Sequence, residues 1–118
     1  SLFNCAVGAK HVMTTITNYH DDNIGGTQLA YSDKGNIECI TIDDMRIKKD
    51  IKLIKIDVEG FEAEVIIGAR RTIAEKQPYI LVEIWSIENM QIIESILKPL
   101  GYQCIQIALH DYLFYKME

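Results

Sequence analysis

Ile51-Lys-Leu-Ile-Lys-Ile-Asp57 and Tyr79-Ile-Leu-Val-Glu-Ile-Trp85 decide the fold. Nearly continuous apolar runs of this length suit strands buried on both faces of a parallel sheet. Between them, Phe61 to Lys76 carries Val65, Ala69 and Ile73 at helical spacing, and Pro78 punctuates the exit. A second helix is expected from Glu88 to Lys98, with Ile92, Ile93, Ile96 and Leu97 on one side. It stops at Lys98-Pro-Leu-Gly101, where proline and glycine end helices. Two further strands follow, Gln103 to Leu109 and Asp111 to Lys116, split by His110. That reversal is too short for a parallel crossover, so the pair is expected as an antiparallel hairpin. Strand, helix, strand, helix and a terminal hairpin define an α/β sheet protein.

Upstream the chain changes character. Asn4 to Asp50 is rich in Thr, Asn, Asp and Gly, with β-branched pieces His11 to Thr17 and Ile37 to Ile42 around the turn cluster Asp21 to Thr27. Short strands joined by loops fit that pattern. No repeat, low-complexity tract or linker divides the chain. Its 118 residues suit one domain with one core: a strand and loop segment over 1–50 and a βαβαββ segment over 51–118.

Composition excludes several classes. With 48% apolar and 25% charged residues the chain is neither disordered nor fibrous. Twelve Lys+Arg against 17 Asp+Glu give a net charge of -5, so no nucleic-acid or anionic-membrane footprint is expected. Cys5, Cys39 and Cys104 form no CxxC, which argues against a disulfide framework or zinc knuckle and for a reducing, cytoplasmic setting. No N-x-S/T acceptor occurs, in keeping with that setting. No apolar run approaches the roughly 20 residues of a membrane span. Ser1 to Lys10 does not read as a signal peptide, and the opening Ser1-Leu2 in place of Met suggests a trimmed start.

Ligands of open α/β sheets bind at the carboxyl ends of the parallel strands. Asp57-Val-Glu59-Gly60 closes the first strand and Glu83 lies near the end of the second. Alternation along a strand would let Asp57 and Glu59 point together into a cleft. Gly60 permits a tight turn there, leading into a helix whose N–H groups face the same cleft. Carboxylates so placed could bind a ligand cation, take a proton or hold a divalent metal. Equally, Glu59 or Glu62 could simply satisfy the orphan N–H groups of a helix start. Residue chemistry alone leaves both open.

These residues resemble a family. Ile56-Asp-Val-Glu-Gly-Phe-Glu62, then Val65, Gly68-Ala69, Pro78 and Ile80-Leu-Val-Glu83, is similar to the signature of FkbM-type methyltransferases. Thr41-Ile-Asp-Asp-Met45 resembles the family's T-L-D-D-L segment, and Asn4-Cys-Ala-Val-Gly8 its N-x-A-L stretch. Asn23 with Gly25-Gly26 fits its loop before the hairpin. The likeness covers nearly the whole chain, and its centre is the specific part.

The resemblance implies an incomplete Rossmann-like methyltransferase fold, with a mostly parallel sheet and an antiparallel terminal strand pair. It also implies S-adenosylmethionine as cofactor and O-methylation of a small-molecule or glycan hydroxyl. Asp57, Glu59 and Glu83 would be the catalytic candidates; Asn4, Cys5, Ala6 and Asp57 would meet the cofactor. One departure qualifies this. The family's glycine-rich cofactor loop and acidic ribose-binding residue have no counterpart here, and Gly25-Gly26 follows no buried strand. The chain therefore reads as the carboxyl-terminal portion of a methyltransferase, expected to bind S-adenosylmethionine poorly alone. Strand 51–57, central in the complete fold, would become an edge unless another chain or the Thr-rich hairpin covers it, so self-association into a homo-oligomer is expected through it.

Other residues read more plainly. His110-Asp111 is a turn, and His11 and His20 lack zinc-binding spacing. Asp43-Asp44 caps a short turn or helix. Arg46, Lys48, Lys49 and Lys52 form a solvated basic rim, and Arg70-Arg71 lie on the surface. Trp85 packs in the core, with a wall of an acceptor pocket as its alternative role. Three hypotheses follow in order: an FkbM-type methyltransferase, a non-catalytic remnant or assembly module of the same fold, and a metal-dependent enzyme using Asp57, Glu59 and Glu83.

Overall fold

The computed structural model describes residues 6–10, 12–16, 29–31, 37–58 and 60–117. They form two four-stranded sheets and three α-helices. The first sheet contains β1 (Ala6–Val7), β2 (Val12–Ile16), β3 (Leu29–Tyr31) and β4 (Ile37–Ile40), in the order β1-β4-β2-β3. β1 runs parallel to β4, and the other pairs are antiparallel. The second contains β5 (Leu53–Ile56), β6 (Tyr79–Glu83), β7 (Tyr102–Gln106) and β8 (Asp111–Lys116), in the order β5-β6-β8-β7.

The architecture is mixed α/β, but the second sheet is not mostly parallel. Only β5 and β6 run parallel; β8 is antiparallel to both β6 and β7. The reason lies in the hairpin. β7 follows the last helix and lies at the outside, and β8 then folds back into the gap beside β6.

The helical segment also departs from expectation. Phe61 to Lys76 is two helices, α1 (Glu62–Ile67) and α2 (Arg70–Lys76), broken at Gly68-Ala69. A Cβ on Gly68 would stand 2.0 Å from the Gly8 carbonyl oxygen, so the chain after β1 approaches the joint too closely for any side chain. The Gly68 carbonyl in turn accepts the Asp43 N–H at 2.9 Å. Asp43 opens a 3-10 helix (Asp43–Met45) and caps α2 from a distance. Its Oδ1 accepts the Thr72 N–H at 2.8 Å and the Thr72 hydroxyl at 2.7 Å, while Oδ2 accepts the Arg71 N–H. The capping role expected of Asp43-Asp44 is thus met by Asp43, on a helix remote in sequence.

α3 (Ile87–Leu97) starts at Ser86, whose hydroxyl accepts the Asn89 N–H at 3.1 Å. α1 and α3 pack together, and the core fills the space between the helices and one face of the second sheet. That face carries Ile56, Ile80, Val82 and Phe114, with Ile66, Ile73, Ile93 and Leu97 above it. β6 is therefore buried on one side, not two: Ile80 and Val82 are covered, whereas Tyr79 is exposed and Leu81 half-buried. β5 ends the sheet, and among the described strands none pairs with its outer edge, the Thr-rich hairpin included.

Candidate functional site

The register brings three acidic residues into one row. Ile56 faces Val82, which faces Tyr112, and in the next position Glu83 faces Asp111. Strand alternation then turns Asp57, Glu83 and Asp111 to the sheet face opposite the core. Together with Lys55, Leu81 and Ile107 they line a cleft of about 210 Å³ at the carboxyl ends of β5 and β6. Asp57 is exposed and Glu83 and Asp111 are half-buried. Like charges directly across neighbouring strands destabilise a sheet, so this row is a local cost to the fold. A single lysine among the lining residues offsets it only in part.

Asp57 and Glu83, both expected from the sequence, thus meet in one cleft. Asp111 joins them, although the sequence placed it only at a turn and the start of the last strand; its pairing with Glu83 depends on β8 folding back beside β6. Glu59, Asn4 and Cys5 lie outside the described residues. Ala6 lies in β1, where its backbone is in register with Cys39.

A fourth carboxyl went unranked. Glu62 opens α1 and is 1% exposed. Its Oε1 accepts the Gly60 N–H at 3.3 Å, while Oε2 has no partner among the described residues. Gly60 has φ +80° in a turn closed by the Phe61 N–H on the Val58 carbonyl, 2.7 Å away. That conformation favours glycine. Burial pushes the Glu62 carboxyl above its usual range, and the nearby Glu83 and Asp57 carboxylates push it further; backbone hydrogen bonds from Glu62 and Gly60 oppose them. The glutamate after the turn was legible as a cap, but not its burial.

Trp85 is not in the core. It is 62% exposed, because it follows β6 on the uncovered side of the sheet end. Its indole N–H donates to Glu83 Oε1, and its ring stacks on His110, with centroids 3.5 Å apart. His110 lies in the bend between β7 and β8, and its carbonyl accepts the Ile84 N–H at 2.8 Å. The turn expected at His110-Asp111 is met at His110, while Asp111 already opens β8. Among the described residues no group of three or more His, Cys, Asp or Glu side chains could hold a metal ion.

Residues 2–104 match the family model described as the methyltransferase FkbM domain. The chain belongs to that family. The crystal structure of a methyltransferase FkbM from Methylobacillus flagellatus KT is similar to 98% of this FkbM domain chain, with a TM-score of 0.58 and 23% identity. At that identity the likeness bears on the fold alone. The chain spans 28% of the length of that protein. No curated protein matches.

The donor set fits one end of the cofactor associated with this family. A row of carboxylates attracts a cationic sulfonium. The volume does not fit the whole group, since sites for ligands of that size run from about 300 Å³ upward.

Proposed function

We propose that this FkbM domain contributes the carboxylate side of an S-adenosylmethionine-dependent methyltransferase acting on a hydroxyl of a small molecule or glycan. The observation that carries the reading is the Asp57, Glu83 and Asp111 row at the carboxyl ends of a parallel strand pair. S-adenosylmethionine, when bound, would supply an electrophilic methyl group. The chain's own residues would do the rest. Asp57, the most exposed of the three, would hold the sulfonium charge nearby and accept or orient the proton of the attacking hydroxyl. Glu83 is engaged by the Trp85 indole, so it suits positioning better than proton transfer. A reducing, cytoplasmic setting belongs to this reading, since the cysteines form no CxxC spacing, and no described helix is long and apolar enough to cross a membrane.

Calorimetric titration with S-adenosylmethionine and its demethylated product tests this. Binding that Asp57→Asn weakens at least about tenfold would support it. No heat at millimolar ligand would favour the second reading, a non-catalytic module of the same fold, which the small cleft volume supports.

The outer edge of β5 supports a further reading, that a second copy of the chain pairs there. Its outward N–H and C=O groups, paired by no described strand, are a template for strand addition. Sedimentation that stays monomeric across a wide concentration range would remove it.

A further inference from the structure

Next to the acidic cleft, and lined by different residues, lies an open cavity of about 450 Å³. Trp85 and His110 form one wall, with planes 22° apart. The indole is fixed twice, by its N–H on Glu83 and by its stacked face, yet most of it stays in water. Holding a large ring rigid without burying it sacrifices rotamer freedom and gains little apolar burial. Ile87, Met90, Leu109 and Tyr112 complete the apolar part, and Leu109 is 77% exposed. Gln91 and Glu94 supply polar groups.

Charge narrows what would fill it. Glu94 lies in the lining, with its carboxylate paired to Lys98. Glu83 accepts the indole N–H at the ring's edge, and Asp111 follows His110. No lysine or arginine lines the cavity. An anionic ligand would meet carboxylates with no lysine or arginine of the lining to bind it. A purely apolar ligand would desolvate the Gln91 amide and the Glu94–Lys98 pair without offering either a hydrogen bond. A ring with one apolar face and a hydroxyl edge satisfies both parts, and the volume lies within the range of small-ligand sites.

We propose that this cavity seats an uncharged sugar ring, stacked by its apolar face on Trp85 with its hydroxyls toward Gln91 and Glu94. The proposal rests on the methyltransferase reading only in making this ring the acceptor; Glu83 borders the acidic cleft and holds Trp85, so the ring's edge would lie at the carboxylate row.

Trp85 is the sole tryptophan, so the emission of the purified chain reports this cavity alone. A panel of neutral methyl pyranosides is titrated without S-adenosylmethionine, alongside a sugar phosphate and a uronate. At least one neutral glycoside should change the emission saturably, and the two anions should bind at least about tenfold more weakly. Leu109→Ala, which keeps the reporter, should weaken the response roughly threefold or more. By calorimetry, Trp85→Ala should lose roughly three- to tenfold in affinity while keeping its circular dichroism. The proposal is overturned if no neutral glycoside responds, if the anions bind equally well, or if folded Trp85→Ala binds unchanged. Sugar binding without cofactor binding would keep this cavity and sink the methyltransferase reading; cofactor binding without sugar binding would do the opposite.

Discussion

The two faces of the β5-β6-β8-β7 sheet come from the same alternating residues and meet opposite ends. On one face Ile56, Ile80, Val82 and Phe114 lie under α1, α2 and α3. On the other, Leu53 and Tyr79 are 53% and 56% exposed, and the carboxylate row and its cleft occupy the strand ends. The comparison teaches that an apolar strand does not report how many of its faces are covered. It also separates stability from chemistry: the covered face holds the fold, and the open face carries the groups a ligand would meet.

The largest effect should come from the centre of the covered face. Phe114→Ala should cost about 3–5 kcal/mol in denaturant unfolding, since Phe114 is fully buried against Ile80. Next comes the joint of the helical layer. Gly68→Ala should cost about 3 kcal/mol, because the new methyl meets a backbone carbonyl that cannot swing aside.

Glu62 tests the electrostatics of the same layer. Its folded carboxyl is raised above the ordinary 4.5, so its contribution to stability is greatest below that pH and falls as pH rises past it. Glu62→Gln does not titrate. The variant should therefore gain on the parent from pH 4 to pH 7, read as a widening difference in melting temperature. A gap that stays constant would mean the carboxyl is not raised. The smallest effect belongs to the open face: Leu53→Ala should change stability by no more than about 0.5 kcal/mol. A cost near that of Phe114→Ala would mean that something covers this face in solution, and the contrast would fail.

Much of this frame was legible beforehand. The spacing of Ile93, Ile96 and Leu97 located α3, although Ile92 proves exposed; the short bend at His110 forced an antiparallel β7–β8 pair, and Asp57 and Glu83 were placed at strand ends. What escaped depends on contacts distant in sequence. The helical period of Val65, Ala69 and Ile73 runs straight through the break at Gly68, which is set by the approach of Gly8. Two- and three-residue strands such as β1 and β3 carry too little pattern to see. Asp111 enters the site only through strand order, and Trp85 is exposed because no described element covers that sheet end.

The position of β8 has a consequence for how the chain acquires its shape. β8 comes after every other strand of its sheet in chain order, yet it lies between β6 and β7 and touches both. During synthesis, β5, α1, α2, β6 and α3 emerge first, but β7 has no place in the sheet until β8 has left the ribosome. The β7–β8 hairpin can then form in microseconds and dock as a unit, because its contacts are local, whereas the parallel β5–β6 pair must close across two helices. Until that docking, the edge of β6 stands open, and the nascent chain is exposed to mispairing there.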